Sequence, residues 1–176
     1  SGDGDGISWS DGDNWEGGVP EAGDKLLVDN NDVTIFDGND GIAEWIEIGR
    51  LDSTSDASLT LESGASLTLS GPQQYFRLGC YEGAIGTLNQ QGGTVSAAGH
   101  FQVGYTGPST GIVNQDAGDA NYEYVKIGSG TNCTGYYYMN GGTLAATGYL
   151  RVGNSGTGHL YLSGGTVSTA SLSINS

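Results

Sequence analysis

Acidic side chains are concentrated in the N-terminal third of the chain, where they could bind a cation. Of 20 Asp and Glu residues, 16 lie between Asp3 and Glu62. Two runs, Asp3-Gly-Asp5-Gly and Asp11-Gly-Asp13-Asn, match fragments of calcium-binding loops, because a hard cation binds several carboxylate and carbonyl oxygens. Neither run is followed at the required spacing by the glutamate that completes such a loop. Asp3, Asp5, Asp11 and Asp13 are therefore candidate Ca²⁺ ligands, with acidic turns as the alternative, and no cofactor is required.

The remaining carboxylates are too few and too scattered to indicate catalysis. They are Glu82, Asp116, Asp119 and Glu123. Glycan hydrolysis needs two carboxylates that flank one bond, and these four residues fall in turns of different repeats. We therefore predict that the chain is not an enzyme. The net charge of −15 also argues against nucleic acid as a partner, and no apolar run is long enough for membrane insertion.

A repeat supplies the elements that must position these residues. Five short alternating runs, at 45–49, 75–79, 100–104, 124–128 and 149–153, end in an aliphatic residue and glycine, and a sixth ends in Ile174-Asn175. The final residues of these runs are 30, 25, 24, 25 and 22 positions apart. A period in the twenties is typical of a solenoid, in which each repeat forms one coil and stacks on its neighbours.

Each coil is predicted to hold three short strands. Residues 150–171 contain three alternating runs separated by Gly-rich turns, and the preceding coils match them. Alternation places one residue of every two in the core, for example Phe76 and Leu78. The chain is thus predicted to be all-β: a right-handed parallel β-helix of about five coils, the handedness following the general preference of parallel crossovers. Cys80 and Cys133 fall two coils apart, too far for a bridge within the chain, which predicts free thiols or one intermolecular link.

Residues 1–41 do not fit the repeat. They are predicted to form an acidic N-terminal β cap over a solenoid at 42–176, since solenoid ends otherwise expose apolar core and unpaired strand edges. The C-terminal end shows no such device, so either the natural protein continues or another molecule completes that edge. We expect Leu172 and Ile174 there to contact Trp9, Trp15 or Trp45 of the next molecule in a head-to-tail homopolymer.

The outward positions carry three further predictions. Arg77, Lys126 and Arg151 form a basic stripe along the first strands, interpreted as a solvated face or as a surface that meets the acidic end of another molecule. Tyr136, Tyr138 and Tyr161 lie near one another on the second strands, where they could stack on glycans or pack against neighbouring molecules. Asn132-Cys-Thr134 is an acceptor sequence for N-glycosylation in an exposed turn.

The coil beginning Gly158-His-Leu-Tyr-Leu-Ser-Gly-Gly-Thr-Val resembles autotransporter-associated β-strand repeats. The opening Ile7-Ser-Trp-Ser-Asp-Gly-Asp-Asn-Trp is similar to the leader of repeat arrays in planctomycete-type secreted proteins. The segment 116–124 departs from the Gly-Gly-Thr pattern of the other coils. The resemblance implies a β-helical fold and an extracellular or cell-surface location in a bacterium, and it implies no shared catalytic residues.

Two functions remain open from the sequence. The first is a structural β-solenoid, a subunit of a self-assembling fibre, sheath or surface stalk whose coils stack end to end. The alternative is a surface adhesin or carbohydrate-binding module without catalysis, which would bind surface glycans through the outward tyrosines.

Overall fold

The computed structural model describes residues 4–51 and 55–175. One short 3-10 helix and sixteen strands follow in this order: η1 (Gly12–Asn14), β1 (Lys25–Val28), β2 (Asp32–Ile35), β3 (Asp40–Ala43), β4 (Trp45–Ile48), β5 (Asp56–Leu61), β6 (Ser66–Leu69), β7 (Tyr75–Leu78), β8 (Ile85–Gln90), β9 (Thr94–Val103), β10 (Thr110–Gln115), β11 (Asp119–Ile127), β12 (Thr134–Met139), β13 (Thr143–Val152), β14 (Thr157–Leu162), β15 (Thr166–Thr169) and β16 (Leu172–Ile174).

All named strands pair in parallel and stack into a β-solenoid, which confirms the predicted all-β fold class. A small sheet contains the second strand of every coil, in the order β14-β12-β10-β8-β5-β2, and a large sheet of ten strands contains the first and third strands. Because each coil contributes one strand to the small sheet, its six strands correspond to six coils. The sequence predicted about five. The long strands β9, β11 and β13 each supply the third strand of one coil and the first strand of the next.

The extra coil comes from the range predicted as a cap. β1, β2 and β3 pair in parallel with β4, β5 and β6, so regular coils begin at Lys25 and not at residue 42. Asx-rich turns hide this coil in the sequence, because they replace the Gly-rich turns of the later coils. Among the described residues, only 4–24 lie outside the coils.

The core is a column of side chains from the alternating inward positions. Ile46, Phe76, Phe101, Val125 and Leu150 occupy the same position in successive coils, and each is at most 1% exposed. The inward pattern predicted from alternation is therefore confirmed along all three strands of a coil. Burying a large aliphatic side chain contributes about 1.5–3 kcal/mol, so this column accounts for much of the stability of the solenoid.

The recurrent glycine marks a corner that admits no side chain. Gly79 has φ +63°, and a Cβ there would lie 2.3 Å from the carbonyl oxygen of Thr110 in the next coil. Gly49, Gly104, Gly128 and Gly153 have the same left-handed conformation and the same close approach to the coil that follows. Glycine recurs because the backbone of one coil packs directly against that of the next.

Two inward glutamines, Gln90 and Gln115, are buried and bond to the backbone, although Gln90 Oε1 has no hydrogen-bond partner among the described residues. The two glutamines occupy equivalent positions on adjacent coils, yet both side chains donate to backbone carbonyls and neither pairs with the other. Gln115 Nε2 donates to the carbonyl of Thr143 at 2.9 Å, and Gln90 Nε2 to that of Asp119 at 3.2 Å. The Tyr137 hydroxyl also donates to Gln115 Oε1 at 2.7 Å. These bonds are possible because the glutamines face a corner of the coil whose carbonyls turn inward.

The N-terminal end of the core is covered. Trp9 is 1% exposed, and its backbone N–H donates to the carbonyl of Thr34 on β2 at 2.9 Å. Trp15 packs edge-on against Trp9 with ring centroids 5.2 Å apart, and its Nε1 donates to the Trp9 carbonyl. The segment that precedes β1 thus closes the core and pairs with the outer edge of β2.

The C-terminal end of the core is open. Leu162, Leu172 and Ile174 are 58%, 56% and 69% exposed. Their register partners one coil earlier, Met139, Leu150 and Val152, are at most 5% exposed. The same positions change from buried to exposed because no described coil lies beyond them.

Candidate functional site

The outer face of the large sheet carries the most organised set of polar side chains. The register aligns Glu47, Arg77, Gln102, Lys126 and Arg151 on successive coils. The predicted basic stripe therefore lies in one row, but its members do not share one environment. Arg77 is 9% exposed and its neighbours Glu47 and Gln102 are 6% and 7% exposed, so the prediction of a solvated face is wrong at this end.

Arg77 is buried because its charge is fully partnered. Its Nη1 donates to Glu47 Oε1 at 2.9 Å, and its Nε donates to Gln102 Oε1 at 3.1 Å. The guanidinium also lies 3.9 Å from the ring centroid of Tyr105 and 4.4 Å from that of Tyr75. A buried charge needs such partners to offset its desolvation, and this set makes Arg77 a structural residue.

An aromatic ladder runs beside the polar row. Trp45, Tyr75, His100, Tyr124 and Tyr149 stand on successive coils, with consecutive ring centroids 4.5 to 5.7 Å apart. Sequence reasoning did not identify this ladder, although the signal was present: the residue four positions before each recurrent glycine is aromatic or histidine. Trp45 therefore belongs to an outer face, and it does not lie at the N-terminal end where we expected an assembly contact.

The two remaining members of the basic stripe lie at the C-terminal end of this ladder. Arg151 Cζ lies 4.3 Å from the ring centroid of Tyr149, and Lys126 Nζ lies 5.9 Å from the same centroid. Both cations are half-buried, and among the described residues no carboxylate lies within salt-bridge distance of either. A cleft of about 450 Å³ opens here, lined by Tyr124, Gly148, Tyr149, Arg151, Asn154, Ser171, Ser173 and Asn175.

The predicted tyrosine cluster forms on the outer face of the small sheet, with a histidine as its fourth member. Tyr136 stacks on His159 and Tyr138 stacks on Tyr161, both pairs with centroids 4.9 Å apart and rings within 9° of parallel. Parallel rings this close overlap face to face, because rings lying side by side in one plane would collide. The cluster therefore presents ring edges and hydroxyls to solvent, and its free ring faces are those of His159 and Tyr161 toward the open end.

The candidate calcium ligands serve as acceptors for the N-terminal segment. Asp5 Oδ1 accepts from the backbone N–H of Ser8 at 2.8 Å and from Asn14 Nδ2 at 2.7 Å. These bonds hold the pKa of Asp5 below its ordinary value. Asp11 accepts from the N–H groups of Asp5 and Asp13, while Asp3 lies outside the described residues. Within 4–51 and 55–175, no three His, Cys, Asp or Glu side chains are grouped as a metal site requires, so Ca²⁺ binding stays a prediction.

The remaining predicted positions are single residues. Cys80 and Cys133 are free and buried, and burial raises the pKa of both thiols, so neither is placed to link two molecules. Asn132 is exposed in a turn with φ +61°, and its glycosylation stays a prediction.

Of the residues expected at an end-to-end joint, Leu172 and Ile174 are exposed at the open end, whereas Trp9 is buried in the covered end.

Among the residues that the structure describes, no helix is both long enough and apolar enough to cross a membrane. No family model matches the chain, and the comparisons with curated proteins and with solved structures returned no match.

Proposed function

We propose that this chain is a non-catalytic structural module of the bacterial cell exterior, a rigid β-solenoid that associates through its open C-terminal coil. One observation carries the proposal: Leu162, Leu172 and Ile174 of the last coil are more than half exposed, whereas their register partners one coil earlier are buried. The extracellular location rests on the resemblance to surface and secreted β-helical repeats.

Association at this end gains both apolar burial and backbone pairing. Covering Leu162, Leu172 and Ile174 would contribute roughly 1.5–3 kcal/mol for each side chain that becomes fully buried. The outer edges of β14, β15 and β16 have no partner strand among the described elements, and a free strand edge is a template for pairing with another chain. The uncovered ring faces of His159 and Tyr161 lie at the same end.

The covered N-terminal end changes the expected mode of assembly. A head-to-tail joint would have to displace Trp9 and the segment that pairs with β2. Two C-terminal ends that meet across a two-fold axis use the open surface twice and displace nothing, and such isologous interfaces are the commonest in homo-oligomers. We therefore propose that the building unit of a fibre, sheath or stalk is a tail-to-tail pair.

Sedimentation of the 176-residue chain at increasing concentration tests the proposal. We expect a monomer–dimer equilibrium that Ile174→Asp abolishes, because the substitution places a charge in the joint. Thr68→Asp is the matched control, since it adds the same charge at an exposed outward position of β6, several coils from the open end, and should leave the equilibrium unchanged. Circular dichroism and thermal melting show whether both variants keep the fold.

Electron microscopy of the same samples reports the geometry of the joint. Rods about twice the length of one solenoid support the tail-to-tail pair, and long axial filaments would support the head-to-tail joint instead. A wild-type chain that stays monomeric at millimolar concentration would overturn self-association.

A second candidate, a carbohydrate-binding module, is favoured by the tyrosine cluster. Tyr138 and Tyr161 are 36% and 47% exposed, and exposed aromatic rings with polar tips are typical of binding surfaces. Titration with cellohexaose and chitohexaose tests it. We expect Tyr161→Ala to remove binding and Tyr81→Ala, at a similarly exposed tyrosine outside the cluster, to leave binding unchanged.

A further inference from the structure

The last two coils differ from the rest of the molecule in the sign of their charge. No Asp or Glu follows Glu123, while Lys126 and Arg151 do. The acidic N-terminal third lies three or more coils away, at about 4.8 Å per coil, which exceeds the screening length of about 8 Å at physiological salt. A molecule of net charge −15 therefore has a cationic region at its C-terminal end.

The two cations of this region are available to a ligand, whereas Arg77 on the same row is not. Arg77 is ion-paired with Glu47. Arg151 makes one side-chain hydrogen bond, from Nη1 to the amide oxygen of Asn154 at 3.3 Å, and its remaining donors have no carboxylate partner within the part of the chain that the structure describes. Stacking on Tyr149 holds the guanidinium plane in place, which lowers the entropy lost when it binds.

The cleft beside Arg151 has the lining of a sugar site. It combines two phenols, Tyr124 and Tyr149, with the hydroxyls of Ser171 and Ser173 and the amides of Asn154 and Asn175. Hydroxyl and amide groups exchange hydrogen bonds with a polyhydroxylated ligand, and the arginine fork matches a carboxylate in a bidentate pair. The lining thus selects a ligand that carries both many hydroxyls and a carboxylate.

We propose that this cleft binds the uronate residues of an acidic polysaccharide. Arg151 pairs with the carboxylate, Lys126 attracts a second carboxylate one coil away along the row, and the hydroxyls of Ser171 and Ser173 contact sugar hydroxyls. The amides of Asn154 and Asn175 donate to backbone carbonyls and hold the lining in place. Lys126 and Arg151 are register partners on adjacent strands of the sheet, so an extended chain of uronates can follow the row. The site is on the large sheet and is separate from the tyrosine cluster and from the open end of the core.

Glu123 is the last acidic residue in the sequence, and its charge tests whether the site favours anionic ligands. Glu123 directly precedes Tyr124 of the cleft lining, and its carboxylate raises the pKa of that phenol. Removing this charge should strengthen the binding of an anionic sugar and leave the binding of a neutral sugar unchanged.

Calorimetric titration of the full chain with tetragalacturonate tests the proposal. We expect binding that Arg151→Gln weakens at least tenfold, that Arg151→Lys weakens less, and that Glu123→Gln strengthens. Lys25→Gln is the matched control: Lys25 also lies over an aromatic ring, that of Trp45, but at the opposite end of the ladder, so its loss should not change the affinity. Thermal melting shows whether each variant is folded.

Several outcomes would overturn the proposal. An absence of binding at millimolar tetragalacturonate would do so, as would equal weakening by Lys25→Gln and Arg151→Gln, which would indicate non-specific charge attraction. Equal affinity for cellotetraose would show that the carboxylate is not recognised. Equal affinity for acetate would show a simple anion site without sugar contacts. A further outcome is that the binding of tetragalacturonate is lost only at protein concentrations at which dimers form. That result would show that the row of Lys126 and Arg151 contacts another copy of the chain.

Discussion

The Arg77 guanidinium donates to the Glu47 carboxylate at 2.9 Å, and both residues are buried although they occupy outward positions of the large sheet. The rings of Trp45, Tyr75 and Tyr105 exclude water from the pair. An outward position on a solenoid is therefore not always a solvent-exposed one, because flanking ladders of large side chains can cover the row between them.

Arg77→Ala should destabilise the solenoid strongly, by about 3 kcal/mol, since removing one partner leaves the other charge buried. Arg50, whose Nε lies 3.0 Å from Glu47 Oε2, limits the loss because it keeps one cation at the carboxylate. The free energy of unfolding in urea measures the effect. Lys126→Ala is the matched control on the same row, and because Lys126 is half-buried and unpaired we expect a loss below about 1 kcal/mol. Similar losses for both variants would contradict the structural role of Arg77.

Gly79→Ala should be among the most destabilising single-methyl additions in this chain. A left-handed conformation costs an L-residue about 1–2 kcal/mol, and overpacking adds about 1–3 kcal/mol; the new Cβ would lie 2.3 Å from a backbone oxygen of the next coil. We expect a total loss of about 3 kcal/mol, measured by chemical unfolding.

Gly17→Ala provides the control for this substitution. No atom lies within 4 Å of the position where its Cβ would be built, and its φ is outside the left-handed region. Its effect on the free energy of unfolding should stay within about 0.5 kcal/mol of zero. A tolerated alanine at position 79 would show that adjacent coils are not in direct backbone contact at this corner.

His100 should make the stability of the solenoid depend on pH. Burial in the aromatic ladder, with a further contribution from Lys126, lowers the pKa of its imidazole below the ordinary value of 6.5. Between the lowered folded pKa and the unfolded pKa the unfolded chain binds more protons, so the free energy of unfolding falls as the pH falls below about 6.5. The contribution of neutral His100 is fully present above that pH.

His100→Tyr removes this titration and extends the row of tyrosine rings. The difference in unfolding free energy between the wild type and His100→Tyr should therefore shift in favour of the variant as the pH is lowered from 7.5 to 4.5. Tyr124→Phe removes no group that titrates in this range. The difference in unfolding free energy between the wild type and Tyr124→Phe should therefore not change with pH. A flat profile for His100→Tyr as well would show that the imidazole is solvated in the folded state.

Much of the fold follows from the sequence by local rules. The recurrent aliphatic-Gly run predicted the coils, since a glycine at each corner reflects a backbone contact that repeats along the axis. Alternation predicted the buried side of every strand, because side chains of a strand point to opposite faces by covalent geometry. The row of Arg77, Lys126 and Arg151 followed from the same period, and the tyrosine cluster followed from neighbouring second strands.

The tertiary structure decided which of these surfaces are exposed. The coil at Lys25–Ala43 was not recognised because its turns are Asx-rich, and its assignment depends on pairing with a coil twenty or more residues away. The burial of Trp9, the covering of Arg77 and the open cleft at Arg151 likewise depend on which side chains neighbouring coils bring alongside. Sequence periodicity determines where a residue stands on the solenoid; its solvent exposure and its charge partners depend on contacts between coils, which no local pattern contains.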